Sequence, residues 1–314
     1  MQHHRRSVFL RTLAGASAAL SAAGPARALA QGAVPLSVAY AGSMGSLMEG
    51  PVKAAAEQRL GISFQGQGEG SDGLANLIVA GSIRPDVFLP VTPGPMETVL
   101  RGAKAREGVP VARTSMVIAY SPRSRFAEQF AAAAAGRPGA MPWWQILAQP
   151  GIRFGRTDPL ADPQGRNIIF VMQLAAKLYK QPDLVHRIIG DDLSPQQTFG
   201  EPSVMARLQS GELDAASAYK IQPGPFNLPY VTLPAEIDLS DDRLRAQYAT
   251  ATLTLNGKTY HPETLAYYAA VLDAAPHPQQ ARAFVDWLRG EEAQAIFRRA
   301  GYEAPGTTST LRAS

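Results

Sequence analysis

Apolar positions along the chain switch repeatedly between a period of two and a helical period. Leu36-Ser37-Val38-Ala39-Tyr40 predicts a strand, and the pattern over 47–60 predicts a helix behind it. Ile62, Ser63 and Phe64 open a second strand, and Leu74, Leu77 and Ile78 follow at helical spacing. Asp86-Val87-Phe88-Leu89-Pro90 predicts a third strand, with a short helix over 96–101. Short links between alternating strands and helices imply parallel strands and right-handed crossovers. Beyond them, 114–120 reads as a long buried strand and 152–155 as another. A long helix over 167–179 is apolar at Ile168, Val171, Met172, Ala175 and Leu178. A short helix over 204–210, strands over 213–219 and 228–233, and strands near 249–255 and 264–272 come next. Helices over 279–288 and 291–299 close the pattern.

The stretch from Gly66 to Gly81, GQGEGSDGLANLIVAG, is the glycine-rich link of this series. Ser71 sits where a helix N-cap belongs, and Ser43 holds the same place after the first strand, in Ala41-Gly42-Ser43-Met44-Gly45. Two such mouths converge when their strands are parallel neighbours, and their N–H groups and dipoles attract an anion. Two more mouths lie after the 114–120 strand, at Asp162 to Gly165 and at Pro202 to Val204. The fold expected is α/β, with two lobes and a ligand cleft between them. Residues 31–113 would form the first lobe, 114–224 the second, and 225–314 would return to the first.

Charge depends on where the fold begins. Arg5-Arg6, a soft apolar run over 13–23 and Ala28-Leu29-Ala30 read as an export leader over 1–30, of twin-arginine type by its paired arginines. That segment holds four of the 30 basic residues and no acid, leaving 26 basic against 26 acidic. A nucleic-acid or anionic-membrane partner loses its support. With 0 cysteines, disulfides, thiolate metal sites and a lipid anchor at the cleavage point are excluded. No apolar run past the leader approaches the length of a membrane span.

Enzyme signatures are sparse. His186, His261 and His277 have no metal-ligand spacing, and Ala41 replaces the first glycine of a nucleophile elbow around Ser43. Gly68-Glu69-Gly70-Ser71-Asp72-Gly73 matches G-x-G-x-x-G, but Asp86 stands at the wrong end of its strand for a ribose. A dinucleotide-dependent oxidoreductase is the enzyme alternative, and binding without reaction is the reading preferred. Trp143 and Trp144 read as helix packing rather than as a ligand platform.

Ala41-Gly42-Ser43, Gly70-Ser71, Arg84-Pro85-Asp86-Val87, Phe154-Gly155-Arg156-Thr157-Asp158-Pro159, Asp162-Pro163-Gln164-Gly165-Arg166 and Tyr219-Lys220 occur in an order that resembles the periplasmic molybdate/tungstate-binding proteins of ABC importers, particularly their archaeal branch. The resemblance implies a type II periplasmic binding protein that closes on a tetrahedral oxyanion and docks on an inner-membrane permease, as a monomer without a cofactor. By the same resemblance Ser43 and Ser71 would be the oxyanion serines, Gln164 the loop amide donor and Tyr219 a hydroxyl donor. Glu201 would contribute a main-chain N–H. Asp162 matches one of two carboxylates that expand the metal's coordination in the archaeal branch, but Ala218 stands where that branch has the second. The resemblance therefore implies a four-coordinate oxyanion, with Asp162 structural or turned away. A sulfate-like anion, sugar or carboxylate is the alternative solute. If Glu69, Asp72 and Glu201 face the cleft, their charges rule out a dianion, and a cation, sugar or small zwitterion is expected instead.

Overall fold

In the computed structural model the described residues are 32–313. The leader expected over 1–30 lies outside them. Two sheets carry the fold. The first contains β1 (Val34–Ala41), β2 (Ile62–Glu69), β3 (Val87–Leu89) and β4 (Glu107–Arg113). The second contains β5 (Met116–Tyr120), β6 (Phe154–Thr157), β7 (Thr198–Phe199), β8 (Ala215–Tyr219) and β9 (Tyr230–Thr232). A separate hairpin of β10 (Leu253–Leu255) and β11 (Lys258–Tyr260) follows. Then β12 (Ala266–Val271) and β13 (Leu311–Arg312) complete the first sheet.

The strand order is β13-β4-β12-β3-β1-β2 in the first sheet and β7-β6-β8-β5-β9 in the second. β1 pairs in parallel with both β2 and β3, as alternating strands and helices require. β12 runs antiparallel between β3 and β4, and β5 runs antiparallel between β8 and β9. The chain passes from the first sheet to the second between β4 and β5. It returns only after β9, which pairs with β5. The return expected at 225 therefore falls later, because Val231 is needed to cover the edge of β5 beside Ile118.

Helix packing follows the apolar stripes. The helix Pro163–Leu178 buries Ile168, Ile169, Val171, Met172, Leu174 and Ala175 against the second sheet. Trp143 and Trp144 are both buried, and Trp144 stacks on Tyr179 with ring centroids 5.6 Å apart, which makes them packing residues. The helix expected over 47–60 is broken: Gly50 leaves helical geometry at φ −104° and ψ −109°, and regular helix resumes at Lys53–Leu60. Pro51 has no N–H with which to continue the ladder. No helix among the described residues is long and apolar enough to cross a membrane.

Candidate functional site

The parallel register of β1 and β2 sets Tyr40 beside Gly68 and Ala41 beside Glu69, so both strands end at one edge of the first sheet. Gly42 and Ser43 continue from one strand, Gly70 and Ser71 from the other. β6 ends facing them at Thr157, followed by the turn Asp158 to Ala161 and the cap residue Asp162. Between the two edges lies a cleft of about 990 Å³. Ser43, Glu69, Gly70, Thr157, Asp158 and Asp162 are among its polar lining. Phe199, Met205, Phe226 and Tyr230 supply apolar lining, and Lys220 and Arg299 add two cations.

The glycines of the link serve different ends from those their sequence pattern implies. A Cβ on Gly68 would lie 2.6 Å from the Tyr40 ring, and one on Gly66 would meet the same ring at 2.8 Å. They make room for Tyr40, whose hydroxyl donates to Glu49 at 2.7 Å. Gly70 alone meets the opposite side, where its Cβ would come 3.2 Å from the Ala161 carbonyl oxygen.

The expected site residues divide. Ser43 lines the cleft, but it is not an N-cap: it stands inside the short 3-10 turn Gly42–Met44, whose cap is Ala41, and its Oγ lies 3.2 Å from the Tyr267 hydroxyl oxygen. Ser71 is not the N-cap; Gly70 is, and Ser71 is the first helical residue. Its Oγ accepts the Val91 N–H at 3.2 Å, and the side chain is 2% exposed and outside the cleft lining. Gln164 is a strut: its Nε2 donates to the Ser217 carbonyl at 3.1 Å and to Gln222 Oε1 at 2.9 Å. Its backbone N–H goes to Asp162 Oδ1 at 2.9 Å, so the helix mouth is occupied by its own cap. Tyr219 is buried behind the cleft, where its hydroxyl accepts from Asn167 Nδ2 at 3.2 Å. Glu201 is the first residue of the helix Glu201–Ser210, whose cap, Gly200, lines the cleft. Asp72 is turned out of the cleft onto Arg166, whereas Glu69 does line it.

Asp162 is the unusual member of this set. It belongs to the cleft wall, and its buried Oδ2 has no partner beyond the adjacent Thr157 hydroxyl, which is itself buried and otherwise unpartnered and which favours the carboxylate. Burial pushes its carboxyl upward from the ordinary aspartate range, against the Gln164 N–H, which favours the anion. Lys220 and Arg299 escaped the sequence reading because neither stands at a helix mouth. Lys220 follows Tyr219 directly, and its Nζ lies 3.5 Å from Glu303 Oε1. No cluster of three or more acidic or histidine side chains among the described residues is placed to hold a metal ion.

Known proteins resemble this chain at two levels. The molybdate/tungstate-binding protein WtpA of Pyrococcus abyssi is 30% identical over 208 residues, covering 60% of this chain and 59% of the relative. An uncharacterized solute-binding protein of Petrotoga mobilis is 31% identical over 197 residues, again 60% of this chain and 59% of the relative. The chain thus spans about 59% of the length of these curated relatives. The solved periplasmic molybdate-binding protein of Azotobacter vinelandii superposes with a TM-score of 0.56 at 17% identity, covering 85% of this chain and 98% of that one. At that identity the likeness is one of fold, that of the type II periplasmic binding proteins, with two α/β lobes. These receptors bind rather than react, which removes the dinucleotide-dependent oxidoreductase from consideration. The family model for bacterial extracellular solute-binding proteins matches residues 36–303, and this chain belongs to that family.

Proposed function

We propose that the chain is a periplasmic receptor that captures molybdate or tungstate as a four-coordinate oxyanion and delivers it, as a monomer, to the permease of an ABC importer. The observation that carries this reading is the buried Asp162 Oδ2 in the wall of the cleft, which has no partner beyond the adjacent Thr157 hydroxyl. A polar atom so poorly met is costly unless a ligand completes its bonds. With its carboxyl pushed up by burial, Asp162 is poised to hold a proton and donate it to an oxo group. The Ser43 hydroxyl and the Lys220 and Arg299 charges sit on the same cleft. The named Pyrococcus abyssi relative supports the choice of oxyanion.

Release would follow opening about the crossings near 113–120 and 220–230. Arg113 and Lys220 both reach Glu303 there, each at 3.5 Å. The leader pattern with Arg5-Arg6 supports export, by the twin-arginine route.

A second reading has its own support. A cleft of about 990 Å³ lined by Phe199, Met205, Phe226 and Tyr230 has room for an organic anion such as a carboxylate or sugar derivative. One panel separates the two: thermal shift and calorimetry with molybdate, tungstate, sulfate, small carboxylates and sugars. At one hundred times its Kd a ligand stabilises by about 2.7 kcal/mol, a shift of several degrees. Molybdate or tungstate should give that shift. A shift with an organic solute and none with either oxyanion would transfer the site to the second reading.

A further inference from the structure

We infer that Asp72 and Arg166 form a latch that holds the two lobes together whether or not a solute is bound. Asp72 belongs to the helix Ser71–Ala80, which follows β2 of the first sheet. Arg166 belongs to the first turns of the helix Pro163–Leu178, which follows β6 of the second. The Arg166 guanidinium makes an ion pair with the Asp72 carboxylate, with side chains 8% and 38% exposed respectively. It is the one ionic contact between these two helices among the described residues.

Arg166 is held ready for that contact by its own lobe. Its Nη1 donates to the Pro159 carbonyl at 3.0 Å, and its guanidinium lies over the Tyr260 ring, 4.6 Å from the centroid. Tyr260 stands on the β10–β11 hairpin, which Gln173 fastens to the same helix through both hydrogen bonds with Thr252, at 2.8 and 2.9 Å. The entropy of ordering a long side chain is therefore met before the lobes touch. A half-buried pair with one partner fixed in place is stronger than an exposed pair of two mobile chains. The close approach of Gly70 to the Ala161 carbonyl lies at the same edge.

Neither Asp72 nor Arg166 lines the main cleft; both line a second cavity of about 280 Å³. The pair thus favours the closed state without touching solute, which slows both release and entry. The inference rests on the receptor reading only in taking lobe opening as the path of release.

The chain has 0 cysteines, so spin labels can be placed cleanly at Leu77→Cys and Leu178→Cys, exposed positions on the two helices. Without solute and at low salt, pulsed dipolar spectroscopy of the wild-type background should show a short interlobe distance. Asp72→Asn should cut the ratio of short to long distances about tenfold, the effect of about 1.4 kcal/mol. Arg166→Gln should do the same, the double variant should do no more than either, and molar salt should act in the same direction. Asp72→Asn alters a half-exposed side chain, so it remains informative if Arg166→Gln folds poorly. An unchanged distribution in folded Asp72→Asn, or a wild type that is wholly open, would overturn the latch. Molybdate supplies a separate arm. If it fails to bind the wild type, the oxyanion reading falls while the distances still decide the latch. If it binds, Asp72→Asn should release it about tenfold faster and, because entry needs the same opening, take it up faster as well; an unchanged off-rate counts against the latch.

Discussion

Replacing Asp162 by asparagine separates the two tasks of this carboxylate. Oδ1 accepts the Gln164 N–H at 2.9 Å. Asparagine accepts the same bond and ranks with aspartate as a cap, so the helix should keep its start. Oδ2 is buried in the cleft wall with no partner beyond the Thr157 hydroxyl. An ionised carboxylate about 4 Å from a unit negative charge costs about 4 kcal/mol at an effective dielectric near 20, hence about 8 kcal/mol for a dianion. Taking up a proton costs about 1.4 kcal/mol for each unit by which pH exceeds the carboxyl's pKa. Measured even from the ordinary aspartate value of 3.8, that is about 4–5 kcal/mol at neutrality, and burial already moves the group upward. Protonation is the cheaper course. Molybdate binding should therefore take up one proton at Asp162, and affinity should weaken by up to about tenfold for each unit rise in pH above neutrality. Asp162→Asn should bind with little dependence on pH and more tightly than the wild type under alkaline conditions. Calorimetry in buffers of different ionisation enthalpy counts the proton directly. A variant that binds more weakly than the wild type at every pH would refute this reasoning, because the carboxylate would then be a ligand to the metal.

Two further substitutions test the frame around the site. A Cβ on Gly165 would lie 2.4 Å from the Thr157 carbonyl oxygen and 2.7 Å from the Pro159 nitrogen, both fixed backbone. Gly165→Ala should cost about 1–3 kcal/mol in urea unfolding and displace the Asp162 cap, and an unchanged midpoint would show that the helix start can slide. Asp238, near the chain crossing, is raised to about 6, chiefly by burial and against its bonds from Ser240. Between the ordinary aspartate value and about 6 the native state binds more protons than the unfolded chain, so stability falls as pH rises through that window. The loss is on the order of 3 kcal/mol by neutrality. Asp238→Asn should remove the slope, and a melting-temperature profile that keeps it would assign the effect to another group.

Much of the architecture is legible in short stretches of chain. Leu36, Val38 and Tyr40, then Ile62 and Phe64, mark two strands that do pair in parallel, and the stripes of the helices Pro163–Leu178 and Pro278–Arg289 are plain. The β10–β11 hairpin was open to the same logic and was missed: Asn256-Gly257 adopts φ of 49° and 76°, the left-handed pair that a tight hairpin turn requires. β4 was missed because Glu107 to Arg113 contains a glycine and a proline, yet Val109 and Val111 are buried beside β12.

The candidate site was legible only as a place. Strand ends and helix starts are local consequences of burying one face of each segment, so periodicity alone locates the mouths near Ser43, Ser71 and Asp162, the second one residue late. Which polar groups at those mouths stay unspent is decided by distant partners. Ser71 is met by Val91, 20 residues on, and Gln164 by Ser217 and Gln222, 53 and 58 residues on. Asp72 is met by Arg166 across 94 residues. A donor or acceptor is available to a ligand only if the fold has left it without a partner, and that accounting closes only when every segment is in place. Sequence by itself determined the two-lobed frame and its edges; the tertiary structure alone decided that Ser71 and Gln164 are spent on distant partners while Asp162 stays in the cleft wall.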